Sequence, residues 1–502
     1  MPVVQGQFTA EDGATLRYRH WPAAAACDRA VLLVAEEPGR WREPAAALAD
    51  FNVFAWEPRA GAGCFMTHVR DAEQLARHIE ARHGIALETM AAIATGLGAT
   101  IAATWAHDYA PPLRALVLVN PNLPRWGLGA GRGLRAAARR IVEDAAAIVA
   151  PAQLLITDGG AHRAARDRLF GHLGSALKDR HEFATAAEAR ETLAAARRFV
   201  AAAFANPPAR ADLGEADRRG PWKEEFDANT APLPWFSARR WGYAGLGLAM
   251  RSIGRLSRGI DLGLAAGFDS GPMFDHVYRD KAKGITPLGR RIDRDFLNRP
   301  GWRAVRARRR HLEAMLGEAV AALRAAGAPI HVVEIGAGGA RYTLEALRKH
   351  APEATALLLD RDPSSVAAAR ALAAELGMGG IRSEIGDGFD RAALAGLRPK
   401  PTISLVSGLY EQHADNAPLR ESLAGLAAAM PEGSHIVYTN QIWNPQLAFI
   451  SRMLTTRDGG RWVMRRRSQA EMDQLVAGAG FAKRAMAIDD DAIATVSLAR
   501  RL

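Results

Sequence analysis

The stretch VVEIGAGGARYTLEAL, residues 332–347, decides how the second half of this chain folds. An apolar run meets a glycine-rich turn and a helical pattern follows, which reads as strand, turn and helix. A lone glycine-rich loop says little, because many turns have this composition. Its surroundings say more. TALLLDRDPSSVAAAR (355–370) is a second strand that ends at Asp360 and leads into a helix. IRSEIGDGFD (381–390) is a third, running into Gly386 and Asp387. TISLVSGLYE (402–411) and GSHIVYTNQIW (433–443) supply two more. Strands that alternate with helices make a parallel sheet covered by helices.

Each polar or small residue in this series has a physical use. Gly336 and Gly338 let the backbone approach a ligand where a Cβ would clash. An acid ending the second strand, Asp360, can accept hydrogen bonds from both hydroxyls of a ribose. Glu334 sits late in the first strand, where a carboxylate can orient the loop or meet an ammonium group. All lie at carboxyl ends of parallel strands, where open α/β sheets bind ligands. Both NAD and S-adenosylmethionine use such a layout. A dinucleotide loop prefers G-x-G-x-x-G, and Arg341 stands where the third glycine would be.

The segment E-x-G-x-G-G-A resembles motif I of the class I methyltransferases, D-R-D-P resembles their ribose-binding strand, and GDGFD resembles their adenine-side loop. That resemblance implies S-adenosylmethionine as cofactor, held by Glu334, Gly336, Gly338, Asp360, Gly386 and Asp387. Asp362 rivals Asp360 for the ribose, or else caps the next helix. Longer phrases, among them GFDSGPMFDHVYRD, LVSGLYEQHADN, YTNQIWNPQL and GGRWVMRRRSQAEMDQLVAGAGF, resemble a bacterial family that fuses an α/β-hydrolase-like half to a class I methyltransferase half. The fold class implied is α/β throughout: a hydrolase-like N-terminal domain and a Rossmann-like methyltransferase domain.

Methyl transfer to a hydroxyl or amine needs a group to take the acceptor's proton. Tyr410, Glu411, His413, Asn440 and Trp443 follow the fourth and fifth strands. Glu411 or His413 could be the base, and Tyr410 and Trp443 could stack on acceptor or sulfonium. The acceptor is read as a small molecule or a lipid-like one. Nucleic acid is disfavoured: the position after the fourth strand reads VSGLYE rather than the Asn/Asp-Pro-Pro-aromatic motif of amino-group methylation, and Cys27 and Cys64 lie in the other half. No HExxH or Cys/His cluster suggests a metal. IDDDA (488–492) reads as a solvated turn.

The first half alternates too, with apolar runs at 30–35, 52–56, 90–95, 113–121 and 152–157. DGATLRYRHW, FNVFAWEPRAGAG and RALVLVNP resemble parts of an α/β-hydrolase. In that family the serine nucleophile stands on the turn after the third of these runs. Here AIATGLGAT (92–100) puts Gly96 there, and Thr95, one residue away, would point elsewhere. EEPGRW replaces the oxyanion-loop His-Gly. The acid position falls near Gly160, with Asp158 close by. His181 comes early, and small residues and Glu188 occupy the expected histidine positions. This half therefore reads as hydrolase-shaped without hydrolase chemistry.

A chain of 502 residues with 49% hydrophobic residues holds several domains and real cores. The reading is 1–205 for the hydrolase-like domain, 206–234 for a linker rich in Pro, Gly and charge, 235–325 for a helical lead-in, and 326–502 for the methyltransferase core. The net charge of +11 is spread along the chain with abundant Ala and reads as compositional bias. Two cysteines favour a reducing cytoplasm, the N-terminus lacks a secretory pattern, and the uncharged run Thr89–Ala106 reads as strand, turn and helix rather than a membrane span. Residues 235–265 carry aromatics, apolar residues at helical spacing and several Arg. They read as a cover for the sheet, or as an interfacial helix making peripheral membrane contact. The four glycines at 242, 245, 247 and 254 weigh toward the cover.

Overall fold

The five apolar runs of the first half are all strands in the computed structural model, which describes residues 3–34, 42–56, 59, 64–124, 132–158, 162–183 and 189–502. The chain divides into two units between Asp212 and Leu213.

The first unit holds one sheet of eight strands: β1 (Val4–Thr9), β2 (Thr15–Trp21), β3 (Ala30–Val34), β4 (Asn52–Trp56), β5 (Met90–Thr95), β6 (Ala115–Val119), β7 (Ala152–Ile156) and β8 (Lys178–Glu182). Their order is β1-β2-β4-β3-β5-β6-β7-β8. β2 is antiparallel to β1 and β4, and the pairs from β4 to β8 are parallel. β3, β6 and β7 are buried along their whole length, which is why they read as unbroken apolar runs. The helices are α1 (Arg42–Ala47), α2 (Phe65–His83), α3 (Leu97–Asp108), α4 (Arg132–Glu143), α5 (Arg163–His172) and α6 (Ala189–Ala205). Ala196, Val200 and Ala203 of α6 pack on one face of the sheet with Ala45 and Leu48.

In the second unit seven strands, β9 (His331–Ile335), β10 (Thr355–Asp360), β11 (Ile381–Ile385), β12 (Ile403–Val406), β13 (His435–Gln441), β14 (Phe481–Ile488) and β15 (Ala494–Arg501), run in the order β11-β10-β9-β12-β13-β15-β14. Only β15 is antiparallel to its neighbours. The chain leaves β9 toward β10 on one side and returns to β12 on the other, so the order reverses at β9 and β12. Such a switch point opens a crevice at the strand ends. Its helices are α7 (Pro221–Thr230), α8 (Ala238–Arg251), α9 (Arg258–Ala266), α10 (Gly271–Arg279), α11 (Pro287–Leu297), α12 (Pro300–Ala325), α13 (Arg341–His350), α14 (Pro363–Glu375), α15 (Arg391–Ala395), α16 (Ala417–Ala429), α17 (Leu447–Met453) and α18 (Gln469–Gly478).

Residues 213–234, expected to lie within a linker, belong to the second unit. Trp222 of α7 is buried. Arg452 donates to Ala228 O at 2.7 Å, Arg461 to Asn229 O at 2.7 Å, and Asn416 N to Asp217 Oδ2 at 2.6 Å. The Pro, Gly and charge of this stretch cap and pin a helix.

Three sequence expectations need correcting, two about the lead-in and one about IDDDA. It is more than a cover, because α9 to α12 and α17 bury a core of their own around Phe268, Met273, Val277, Leu297 and Trp302. Asp293 sits fully buried beside it and accepts from Ser257 Oγ (2.7 Å), Gly259 N (2.7 Å), Lys283 N (2.8 Å) and His276 Nε2 (2.9 Å). The first stretch, α8, buries only Met250, so it covers little despite being fully helical. IDDDA is the β14–β15 turn, but Asp489 is not solvated. It is buried and accepts from Ala494 N at 2.6 Å, Asp491 N at 2.8 Å and Ile493 N at 3.0 Å, and burial pushes its carboxyl up to about 6.

Candidate active site

A cavity of about 1470 Å³ opens over the carboxyl ends of the second sheet. Single small ligands ordinarily occupy about 300–1,000 Å³. The volume therefore leaves room for two molecules side by side.

One wall is the turn after β9. Gly338 has φ +53° and nothing within 4 Å of where a Cβ would be, and it faces the cavity. A side chain there would occupy ligand space and strain the backbone. Gly338 N donates to Asp360 Oδ2 at 2.7 Å, and Asp362 N donates to Asp360 Oδ1 at 2.9 Å. Asp360 thus fixes the turn while its side chain stays on the cavity wall. Asp362 also borders the cavity, but it is the N-cap of α14, accepting from Ser364 N at 3.0 Å and pairing with Arg457 at 3.0 Å. Gly336 and Gly386 line the cavity as well.

Glu334 lies beneath this turn, fully buried. The Tyr342 hydroxyl donates to its Oε1, and Oε2 has no partner. Burial pushes its carboxyl up to about 7. A buried carboxylate oxygen without a donor suits an incoming cation.

Asp387 is placed off the cavity. Its Oδ1 accepts from Phe389 N at 2.9 Å and from Arg361 at 2.6 Å, closing a local turn that presents Gly388 and Phe389 instead. Tyr410 is off it too. Its ring is buried in the core under β12 and its hydroxyl bonds Ser422 Oγ at 2.9 Å. Trp443 lies under the Arg466 guanidinium, 5.3 Å from ring centroid to carbon, and Asn440 donates to Arg467 O at 3.0 Å. Neither reaches the cavity lining. In each case a polar or aromatic loop residue was taken up by packing or backbone bonding.

Glu411 and His413 do line the cavity. Glu411 is buried, accepts from Thr439 Oγ1 at 2.9 Å through Oε1, and leaves Oε2 without a partner. The His413 ring lies 4.1 Å from that of Phe389, and burial with the nearby Arg361 and Arg467 charges lowers its pKa.

Sequence reading missed the residues that hold this loop. Arg467 is buried; it donates to Tyr410 O and His413 O, both at 2.9 Å, and to Asn416 Oδ1 at 2.8 Å. Burial lowers its guanidinium to about 10. Arg465 pairs with buried Glu471 at 2.8 Å. The run RRR looks like a solvated charge cluster, and only the hydrophobic neighbours Val463 and Met464 hinted otherwise. Also missed were Arg308, whose guanidinium lies 3.2 Å from the Cβ position of Gly408, and Gln441, Asn444 and Gln446, which line the cavity.

In the first unit Gly96 links β5 to α3 with φ +56° and ψ −121°. Its N–H donates to Val119 O at 2.9 Å, and nothing lies within 4 Å of its Cβ position. Asp158 is engaged by Arg166 through both carboxylate oxygens, at 2.6 and 2.8 Å. His181 lies on the edge strand β8, edge-on to Phe183. EEPGRW, Gly160 and Glu188 fall outside the described residues.

Asp360 and the bare face of Gly338 on the cavity wall fit S-adenosylmethionine, while Glu334 stands fully buried behind that wall and off the lining. Fold and donor set together define a Rossmann-like methyltransferase domain. The chain belongs to the family described as "Putative methyltransferase", whose profile matches residues 196–501. It is 35% identical over 572 aligned positions to the uncharacterized protein YnbC of Escherichia coli K12, covering 98% of each chain. Among solved structures it is similar to a possible exported protein from Bordetella parapertussis (18% identity, 58% of this chain and 99% of that one, TM-score 0.40). It is also similar to magnesium protoporphyrin IX methyltransferase from Synechocystis PCC 6803 with bound S-adenosylhomocysteine (14% identity, 48% and 99%, TM-score 0.32). No helix among the described residues is long and apolar enough to cross a membrane.

Proposed function

We propose that the second unit methylates a small or lipid-like acceptor that lies beside the cofactor in the same cavity, with Glu411 taking the acceptor's proton. S-adenosylmethionine supplies an activated methyl group on a sulfonium. The acceptor's oxygen or nitrogen forms the new bond to that methyl carbon as the carbon–sulfur bond breaks and its electron pair stays with sulfur. The proton released passes to Glu411 Oε2. Asp360 receives the cofactor's ribose, Glu334 faces its ammonium from beneath the glycine turn, and Arg467 holds the Glu411 loop in place by its backbone carbonyls. The observation that carries this reading is the unpartnered Oε2 of buried Glu411 on the wall of the cavity that Gly338 and Asp360 also line.

The first unit is proposed to be a hydrolase-shaped domain without hydrolase chemistry. The strained strand-to-helix turn is present at Gly96, as a nucleophile elbow requires. The side chain it should carry is absent, and Asp158 is committed to Arg166. This half then gathers substrate or presents an interaction surface.

The test uses labelled S-adenosylmethionine with an extract of cellular small molecules and lipids. Glu411→Gln should lose about 10²–10⁴-fold in turnover. Its cofactor affinity, measured by calorimetry, should stay within about threefold, since a uniform binding loss is a different signature. Cofactor binding without turnover on any fraction would favour a non-catalytic binding protein. Full turnover by the variant would remove Glu411 from the reaction.

A further inference from the structure

α8 presents an exposed apolar stripe. Trp241 is 65% exposed and Leu248, two helical turns on, is 69% exposed, with Gly245 between them on the same stripe. Trp235 (74%) and Phe236 (72%) stand just before the helix and Ile253 just after it, all exposed. The loop into α11 joins the same surface. Ile285 N donates to Leu256 O at 3.1 Å, and Arg258 N donates to Lys283 O at 3.0 Å, which sets exposed Ile285 and Leu288 beside the 253–256 turn. One exposed Leu is ordinary, but a contiguous group of large apolar side chains calls for a partner.

The charge around this group says which partner. Arg239, Arg240, Arg251, Arg255, Arg258, Lys281 and Lys283 are all exposed here. Arg258 pairs with Asp261 at 3.9 Å. Basic side chains flanking exposed Trp, Phe and Leu match the interface of an anionic bilayer, where rings sit among headgroups and each cation gains from the surface potential.

The opposite side of the same helix leads inward. Leu246 and Met250 line the cavity, and Ile260, Phe296, Trp302 and Phe449 continue its apolar lining. A single helix thus joins a membrane-like surface to an apolar chamber.

We propose that α8 and the 253–258 and 283–288 segments dock on an anionic phospholipid membrane, and that the methyl acceptor is a membrane lipid whose acyl chain enters the cavity past Leu246 and Met250. The docking stands on the exposed surface alone. The identity of the acceptor rests on the methyltransferase reading.

The full chain is sedimented with vesicles of phosphatidylcholine, with and without phosphatidylglycerol, at low and physiological salt. The wild-type protein binds the anionic vesicles at both salts and the neutral ones weakly. Brominated acyl chains quench its tryptophan emission. Trp241→Ser with Leu248→Ser lowers vesicle affinity by about 10- to 100-fold, and Arg240, Arg251 and Arg255→Gln lowers it most at low salt, where the attraction to anionic headgroups is least screened. Both variants keep wild-type cofactor affinity in calorimetry, which shows that they fold. No sedimentation at low salt, or equal sedimentation of the Ser variant, overturns the docking. So does concentration-dependent self-association of the vesicle-free protein that the Ser variant abolishes, since a second copy then covers the face. Absent cofactor binding in the wild type would instead defeat the methyltransferase reading, leaving the vesicle result intact. Methyl label appearing in lipid extracted from the vesicles supports the acceptor assignment. Vesicle binding with label only in water-soluble products overturns it.

Discussion

The backbone N–H of Gly338 and the Oδ2 of Asp360 stand 2.7 Å apart, so the turn after β9 and the acid ending β10 are locked as one element. Asp360 shapes the glycine turn and, in the function proposed above, also meets the ribose. Replacing it removes both.

Asp360→Ala is expected to weaken S-adenosylmethionine binding by about 100-fold or more. Two charge-assisted bonds to the ligand are lost, each worth about 1.5–3 kcal/mol, and 1.4 kcal/mol is about tenfold. Asp362→Ala removes an N-cap instead, costs about 1 kcal/mol of stability, and leaves affinity near wild type. Calorimetry on both variants separates the roles. Equal loss in the two would return the ribose to Asp362.

Glu334 gives the fold a pH dependence opposite to that of an ordinary paired carboxylate. Its folded value, about 7, lies above the ordinary 4.5. Folding therefore takes up a proton between those values, and stability falls as pH rises from about 4.5 through 7, then levels. The slope is at most about 1.4 kcal/mol per pH unit. An ammonium ligand favours the ionised form, so the melting-temperature gain from S-adenosylmethionine should grow between pH 5.5 and 7.5. Glu334→Gln should flatten both trends in thermal melts.

Arg467→Met should cost about 3–5 kcal/mol, the usual loss when one partner of a buried charge cluster is removed. Arg467→Lys is the sharper test. A point charge cannot reach Tyr410 O, His413 O and Asn416 Oδ1 together as the planar fork does. Turnover should fall while cofactor affinity holds, because the Gly338–Asp360 wall is untouched. A parallel fall in both would mean that Arg467 supports the whole sheet end.

Gly96→Ser restores the missing hydroxyl in open space. The positive φ should cost about 1–3 kcal/mol. No cleavage of nitrophenyl acetate above background is expected, because Asp158 is held by Arg166 through both carboxylate oxygens. Labelling of the variant by a fluorophosphonate, together with ester turnover, would show that a working site survives in this half.

The sequence made the buried strands easy to read. β3, β6 and β7 are covered on both faces, so burial wrote them as continuous apolar runs. β8 was invisible, because KDRHE is a largely exposed edge strand with no apolar side chain to mark it. At the site, Gly338 and Asp360 were legible because main-chain geometry demands those residue types. Tyr410 and Trp443 were misread because a loop aromatic can turn either way, and only the packing beneath β12 and the Arg466 stack decide which. Arg308 and Arg467 were missed for a related reason: runs of arginine look solvated, and burial of single members depends on the partners that tertiary structure brings.

α12 spans 26 residues, about 39 Å at 1.5 Å per residue. Its first turns carry Trp302, Ala304, Val305 and Arg308 to the cavity, and its later turns bury Leu312, Met315, Leu316, Val320 and Leu323 against the sheet. A single rod is thus both cavity wall and structural beam. The catalytic sheet cannot be excised at residue 326 as a minimal enzyme, because the cut discards the beam. The cavity end of the rod is not free to drift either, because Trp302 belongs both to the lining and to the core around Phe268 and Leu297.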